Sequence, residues 1–491
     1  MVASHYIFLG VSLLVLISVL ASKASERLGL PALLVFLAVG MLAGSEGIGG
    51  IYFDNAYVTK LLGTMALALI IFSGGLDTDW RAVRPVVWHG VALATIGVFL
   101  TALLVGVFAV LVLKFSLLEG LLLGSVMSST DAAAVFSILR SRRVSLKGQL
   151  RPLLELESGS NDPMAVLLTM CVIRLMLDTA ISPGAIIAMF LQQVLLGFAL
   201  GWMSGKCIIY LVNRLQLEYD GLYPVLTLSL VLLVFAVTES FGGNGFLAVY
   251  LGGIIVGNSD FLHKRSLKRF HDGISWLMQI TMFLTLGLLV FPSQLVSVWV
   301  GGLLLSLFLM FVARPISVFL TLPLGHLGLA QKLLISWVGL RAAVPIVLAT
   351  YPLLAGVPKA MMIFNLVFFV VIISVLCQGK SLPFVASWLG LNEPLEEGPK
   401  YPLEFDRSDK IPADMLEVEI PAGSAAVGRR LLDINLPEGT LVVLIYRNGE
   451  FFVPGGGTVL QANDRMLVLS KRETLGVIGS LLNKQIELDG V

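Results

Sequence analysis

The sequence predicts an all-α polytopic membrane protein of about thirteen transmembrane helices, followed by a small α+β domain. Three observations carry that prediction. Of 491 residues, 57% are hydrophobic and only 13% are Asp, Glu, Lys or Arg, whereas a soluble domain carries about 45–50% apolar and about 25% charged residues. The charge is also uneven: residues 1–389 hold 39 charged side chains, and the last 102 residues hold 26. Finally, the first 389 residues break into apolar runs of near-spanning length. An ordinary soluble enzyme is excluded.

The apolar runs lie at 4–22, 30–45, 61–76, 86–112, 117–139, 152–177, 185–212, 222–240, 246–258, 273–291, 295–320, 332–351 and 360–388. A helix needs about 20 such residues to cross about 30 Å of hydrocarbon. No basic segment precedes the first run, which is therefore expected to be a span and not a cleaved signal. With the N-terminus outside, 17 Lys and Arg fall in inner segments and only Lys60, Lys114, Arg174 and Lys359 in outer ones. This alternation follows the positive-inside rule at every loop. An odd number of spans then puts the C-terminal domain in the cytoplasm.

After residue 390 comes a Pro- and acid-rich linker over 391–412, and the soluble domain is expected over 413–491. Strands are expected at 415–420, 440–447, 450–454 and 464–470. A short helix is expected around 428–434 and a last helix after 470. Asn448–Gly449 between two strand runs is a strong hairpin signal.

Other features suggest packing. A net charge of +1 and the lack of a basic stripe give nucleic acid no purchase. Cys171, Cys207 and Cys377 have neither disulfide nor metal spacing and are expected to be buried in apolar runs. His89, His263, His271 and His326 are expected at solvated cytoplasmic span ends. The Gly-rich patches at 44–50 and 241–246 follow no strand, so they are not phosphate loops. The first suits close helix packing.

Ionised groups inside hydrocarbon cost at least about 2.5–3.5 kcal/mol each. Six lie well within spans, away from their ends: Asp131, Glu155, Glu157, Asp162, Arg314 and Arg341. At a rise of 1.5 Å per residue, Asp131 lies about 21 Å from the outer edge and Asp162 about 15 Å from the inner edge. Two carboxylates from consecutive spans therefore meet near the midplane. Ser128, Ser129 and Thr130 precede the first. Ser158 shares a helix face with the second, and Pro163 frees carbonyls such as that of Gly159. Carboxylate, hydroxyl and carbonyl oxygens are what a dehydrating hard cation requires. A proton and a cation compete for one such carboxylate, and that competition is the core of exchange. Glu155 is expected to be structural.

The residues that make this site also carry a resemblance. Thr130–Asp131, ESGSNDP at 157–163, FVARP at 311–315 and WVGLRAAVP at 337–345 occur in order along residues 1 to about 390. In these motifs the chain resembles the NhaP-type monovalent cation:proton antiporters. The resemblance implies inverted repeats with two broken helices crossing at mid-membrane. It makes Asp162 the ion- and proton-binding carboxylate, with Thr130, Ser158, Asn161 and Asp131 around it. Glu157 would pair with Arg314, and Arg341 would balance helix ends. Asn161 before Asp162, in place of a second aspartate, implies electroneutral one-for-one exchange. Ala342–Ala343 departs from the glycine usual after the arginine. The implied substrates are K⁺ or Na⁺ against H⁺, in the inner membrane of a bacterium, by a homodimer without cofactor.

The tail resembles the TrkA-C (RCK C-terminal) domain through VGRRLLDINLPEGTLVVLIYRNGE and FFVPGGGTVLQANDRMLVL. That likeness implies a regulatory module that can take a small nucleotide ligand at a dimer interface, and tilts the ion toward potassium. No GxGxxG follows a strand, so NAD is not expected. Two other classes are weaker. An intramembrane aspartyl hydrolase would show GxGD on its second catalytic helix, and a channel would show a filter motif; neither is present.

Overall fold

The computed structural model describes residues 2–28, 31–178, 181–261, 263–322, 327–394, 414–470 and 474. The chain divides into two compact units, one of Met1–Asp260 with Leu267–Leu395, the other of Phe261–Ser266 with Glu396–Val491.

The first unit is helical. Its elements are α1 (Val2–Leu28), α2 (Ala32–Ala43), α3 (Ala56–Asp77), α4 (Trp80–Leu111), α5 (Leu117–Met127), α6 (Ala132–Ser141) and α7 (Leu150–Leu177). They continue with α8 (Pro183–Arg214), α9 (Leu222–Ser240), α10 (Gly245–Gly257), α11 (Lys264–Leu289) and α12 (Pro292–Thr321). The last are α13 (Leu329–Val338), α14 (Ala343–Ala355) and α15 (Ala360–Trp388). Among the described residues, eight helices are long and apolar enough to cross a membrane. The pairs α5–α6 and α13–α14, bent by 40° and 49°, raise the number to ten if each is one broken span. Thirteen would further require the apolar stretch Phe8–Lys23 of α1, α2 and α10 to cross. The 12 residues of α2 and 13 of α10 reach only about 18–20 Å.

Three long helices contain a π-turn: Leu93–Gly97 in α4, Leu309–Ala313 in α12 and Val375–Gly379 in α15. In the last two a proline explains it. Pro315 and Pro383 lack the N–H that would bond the carbonyls of Phe311 and Gly379, so the ladder slips locally to a wider spacing. Small residues set the closest helix approach: a Cβ at Gly253 of α10 would lie 2.5 Å from the Phe72 carbonyl oxygen of α3, so only glycine fits.

The α6–α7 connection and the segment after α15 form a two-stranded antiparallel ladder, β1 (Val144–Leu146) with β2 (Asn392–Pro394). The Lys147 amide donates to the Leu391 carbonyl at 3.0 Å. Ladder bonds alternate in antiparallel pairs, so Pro394, opposite Val144, takes a position that needs no donor.

The second unit holds β3 (Asp414–Glu419), β4 (Leu441–Arg447), β5 (Glu450–Phe452) and β6 (Arg465–Ser470) in one antiparallel sheet of order β3-β6-β4-β5. Val418, Ile420, Ile434, Val442, Ile445, Leu460, Met466 and Val468 make its core. The hairpin turn has Asn448 at φ +52° and Gly449 at φ +92°, the two left-handed residues of a type I′ turn. Arg447 forks onto buried Asp464, Nε to Oδ1 at 2.8 Å and Nη2 to Oδ2 at 2.7 Å. The expected helix near 428–434 is a single 3₁₀ turn, Leu431–Ile434. The helix expected after 470, most of the expected linker and His326 lie outside the described residues.

Two packing expectations need correction. Cys171 is buried, but Cys207 and Cys377 are exposed. An apolar run in a membrane protein has an outward stripe facing lipid, so hydropathy alone does not bury a residue. His271 is not at a solvated end. It is buried, with Nε2 2.9 Å from the Thr227 hydroxyl and its ring edge-on to Phe72.

Candidate ion-binding site

The site begins where two helices fail. Residues 128–131 interrupt α5–α6 because hydroxyl and carboxyl side chains satisfy backbone groups locally. The Ser128 hydroxyl donates to the Ser125 carbonyl at 2.7 Å, and the Asp131 carboxylate caps α6 by accepting the Ala134 amide at 3.0 Å. Residues 339–342 interrupt α13–α14. Pro345 falls in the first turn of α14, where a missing N–H costs nothing. The two interruptions touch: the Asp131 amide donates to the Leu340 carbonyl at 2.8 Å. Four half-helix ends therefore meet, two positive and two negative.

Arg341, buried to 1% exposure, lies on the negative pair. Its Nε donates to the Met127 carbonyl that ends α5, at 3.3 Å, and its Nη1 to the Gly339 carbonyl beyond α13. Its backbone amide donates to Ser374 Oγ of α15 at 3.0 Å.

Helix α7 closes the site from the other side. Ser158 Oγ donates to the Thr130 carbonyl and accepts the Ala132 amide, each at 2.9 Å, stitching α7 across the first break. Asn161 Nδ2 donates to Thr130 Oγ1 at 2.6 Å, which leaves Asn161 Oδ1 buried without a hydrogen-bond partner. Asp162, 8% exposed, accepts a hydrogen bond on Oδ1 from Ser129 Oγ. Below it Glu157 Oε1 meets Arg314 Nη2 at 2.5 Å, both side chains almost fully buried. The π-turn of α12 ends at Ala313, one residue before Arg314.

The structure thus gathers Thr130, Asp131, Ser158, Asn161 and Asp162 at one crossing, with Glu157, Arg314 and Arg341 supporting it. Asp131 stands apart in chemistry, since its carboxylate caps its own helix. Glu155 pairs instead with Arg151 one turn earlier on α7, at 2.8 Å. Two contributors escape sequence reasoning, and a third, Ser129, is legible only as one hydroxyl in a run, without its bond to Asp162. Gln378, in the π-turn of α15, accepts from Ser374 Oγ at 2.6 Å and donates to the Trp337 carbonyl at 2.9 Å, bracing the end of α13. Asn244, within the second Gly-rich patch, donates to the Pro163 carbonyl at 2.8 Å.

Chemically, the free donors are oxygens: the Asp162 carboxylate, the orphaned Asn161 amide oxygen and hydroxyls beside them. Such a set suits a hard monovalent cation or a proton on the carboxylate. Among the described residues no group of three or more His, Cys, Asp or Glu gathers as a metal site.

Comparison with known proteins decides the family. The model of the sodium/hydrogen exchanger transmembrane family matches residues 12–388. This chain belongs to that family. The TrkA-C domain model matches residues 415–483. The chain is 40% identical over 484 residues to the K(+)/H(+) antiporter NhaP of Alkalimonas amylolytica, covering 98% of this chain and 84% of that protein. It is 41% identical over 492 positions to the K(+)/H(+) antiporter NhaP2 of Shewanella oneidensis, covering 99% and 84%. The Na(+)/H(+) antiporter NhaH of Halobacillus aidingensis is 27% identical over 410 residues, 79% of this chain and 99% of that protein. In fold, this exchanger is similar to the sodium proton antiporter MjNhaP1 of Methanocaldococcus jannaschii, with TM-score 0.68 and 21% identity over 76% of this chain and 99% of that one. The family consists of cation:proton antiporters, which are transporters and not enzymes, so the hydrolase reading is set aside.

Proposed function

We propose that this exchanger trades K⁺ for H⁺ one for one, with Asp162 as the carboxylate that holds either. The observation that carries the reading is the buried Asp162 carboxylate, which accepts the Ser129 hydroxyl from the break in α5–α6 and follows Asn161, whose buried amide oxygen has no hydrogen-bond partner. With a proton or a monovalent cation aboard, the site is neutral; empty, it holds a buried negative charge that is expensive to carry across hydrocarbon. Alternating access then runs only with a loaded site, which couples the two flows. Asn161 adds a ligand without adding a charge, so one cation balances one proton and the exchange is electroneutral. The K(+)/H(+) names of the 40–41% identical relatives support potassium. Sodium is the second reading, supported by the Na(+)/H(+) name of a 27% identical relative.

In the same reading the protein is a homodimer of the cytoplasmic membrane, with the N-terminus outside. Residues 1–390 form the transport domain, and 413–491 form a cytoplasmic regulatory domain whose ligand is a small nucleotide. The test uses proteoliposomes with an internal pH gradient and a pH-sensitive dye, to which K⁺, Na⁺ and Li⁺ are added separately. K⁺ should collapse the gradient in wild type and not in Asp162→Asn, which should still insert. Collapse with Na⁺ or Li⁺ alone overturns potassium, and full activity in Asp162→Asn overturns the site.

A further inference from the structure

We infer that Asn244 is a positioning residue for the cation site: its amide clamps the Asp162–Pro163 turn of α7 to α10. The inference rests on the exchange reading above and deepens it.

Asn244 is buried, at 2% exposure, and both ends of its side chain are committed. Oδ1 accepts the Leu247 amide at 3.0 Å and caps α10, while Nδ2 donates to the Pro163 carbonyl at 2.8 Å. Its backbone amide is fixed as well, donating to the Gln193 carbonyl of α8 at 3.0 Å. Capping alone would be served as well by Ser or Asp. What the amide adds is a donor, and that donor is spent on the residue next to the ion-binding carboxylate, 81 positions away in sequence.

The turn that receives it needs outside support. Pro163 offers no N–H to the carbonyl of Gly159, so the turn of α7 carrying Asp162 lacks one of its own hydrogen bonds. Helix α10 meets this turn at both ends. Asn244 binds its outer end, and the Tyr250 ring packs so closely on Gly159 that any Cβ there would collide with it. The clamp fixes the backbone from which Asp162 and Asn161 project, and a cation site tolerates little error in ligand position. Loss of the donor should therefore weaken cation capture before it weakens the fold.

The test uses the full chain in the proteoliposome assay, titrating K⁺ at several pH values, with wild type and Asp162→Asn in parallel. Asn244→Asp and Asn244→Ser both keep an oxygen for the helix cap and lose the amide donor. Each should raise the half-saturating K⁺ concentration about five- to tenfold, the effect of one lost hydrogen bond. The pH for half-maximal exchange should move with it, because cation and proton share one carboxylate. The thermal midpoint of the uncharged Asn244→Ser variant in detergent should stay near wild type. If Asn244→Asp does not fold, Asn244→Ser carries the test. Unchanged half-saturation and pH profile in a folded variant, whether or not its melting point falls, make Asn244 a helix cap only and overturn the inference. Failure of wild type to exchange any cation would instead overturn the exchange reading.

Discussion

At the scale of single residues, the membrane interior makes each charge conspicuous and each neutral ligand hard to see. Asp162, Glu157, Arg314 and Arg341 stand out in the sequence because an ion in hydrocarbon demands a reason. Asn244 and Gln378 do not, because an uncharged amide among glycines or in an apolar helix has no periodic or electrostatic signature. The Glu157–Arg314 pair gives a sharp expectation. Removing one partner of a buried pair strands the other, at a cost of about 3–5 kcal/mol, so Arg314→Ala should lower the melting point of the detergent-solubilised protein strongly. Arg314→Met with Glu157→Gln should recover much of that loss, and a double variant as unstable as Arg314→Ala would count against the pair as described. Ser129→Ala removes the hydrogen bond to Asp162, and half-saturating K⁺ should rise several-fold with folding unchanged, as a cation titration would report.

At the scale of elements, the broken helices were inferable from the runs SSTD and GLRA only once a family resemblance supplied their meaning. Propensity alone reads α5–α6 as one span. The π-turns were not inferable, since a proline in a long apolar run signals a bend without saying how the ladder slips. The loop after α2 offers a pH test. Glu46 accepts hydrogen bonds from Ser293 at the start of α12, Oγ at 2.5 Å and the amide at 2.7 Å. The Ser293 hydroxyl, then its amide, holds the Glu46 carboxyl below its ordinary value of 4.5. A carboxyl depressed in the folded state stabilises fully above its unfolded value and loses that contribution as pH falls through the lower folded one. Melting curves of wild type and Glu46→Gln should therefore differ at neutral pH and converge in acid below that range. A gap that persists there would disprove the link. In the C-terminal sheet, Arg447→Ala leaves the Asp464 carboxylate without its fork and should cost about 2 kcal/mol, read from the domain's unfolding transition.

For the molecule as a whole, the charge contrast between the first 389 residues and the last 102 was enough to separate a membrane unit from a sheet-bearing one, and the Asn-Gly hairpin was placed to the residue. The number of crossings was less legible. Helices α2 and α10 are too short to count by length, and hydropathy runs join or split elements that the backbone treats differently. Lipid-facing and core-facing stripes are both apolar, which is why the sequence predicts burial for Cys207 and Cys377 where the fold exposes them. Deleting residues 400–491 should leave exchange in vesicles intact while changing how it is controlled. Loss of folding on that deletion would make the tail structural instead.

The ladder between β1 and β2 decides where such a cut can be made. The short strand leaving α15 is laced to the strand in the connection that joins α6 to α7, one carrying the Asp131 cap and the other Asp162. A truncation beyond residue 394 amputates the tail and spares the seam. One made before residue 391 also unpicks the stitch that ties the α6–α7 connection to the segment after α15, and a defect in that shorter protein would report on the seam and not on the domain it was meant to remove.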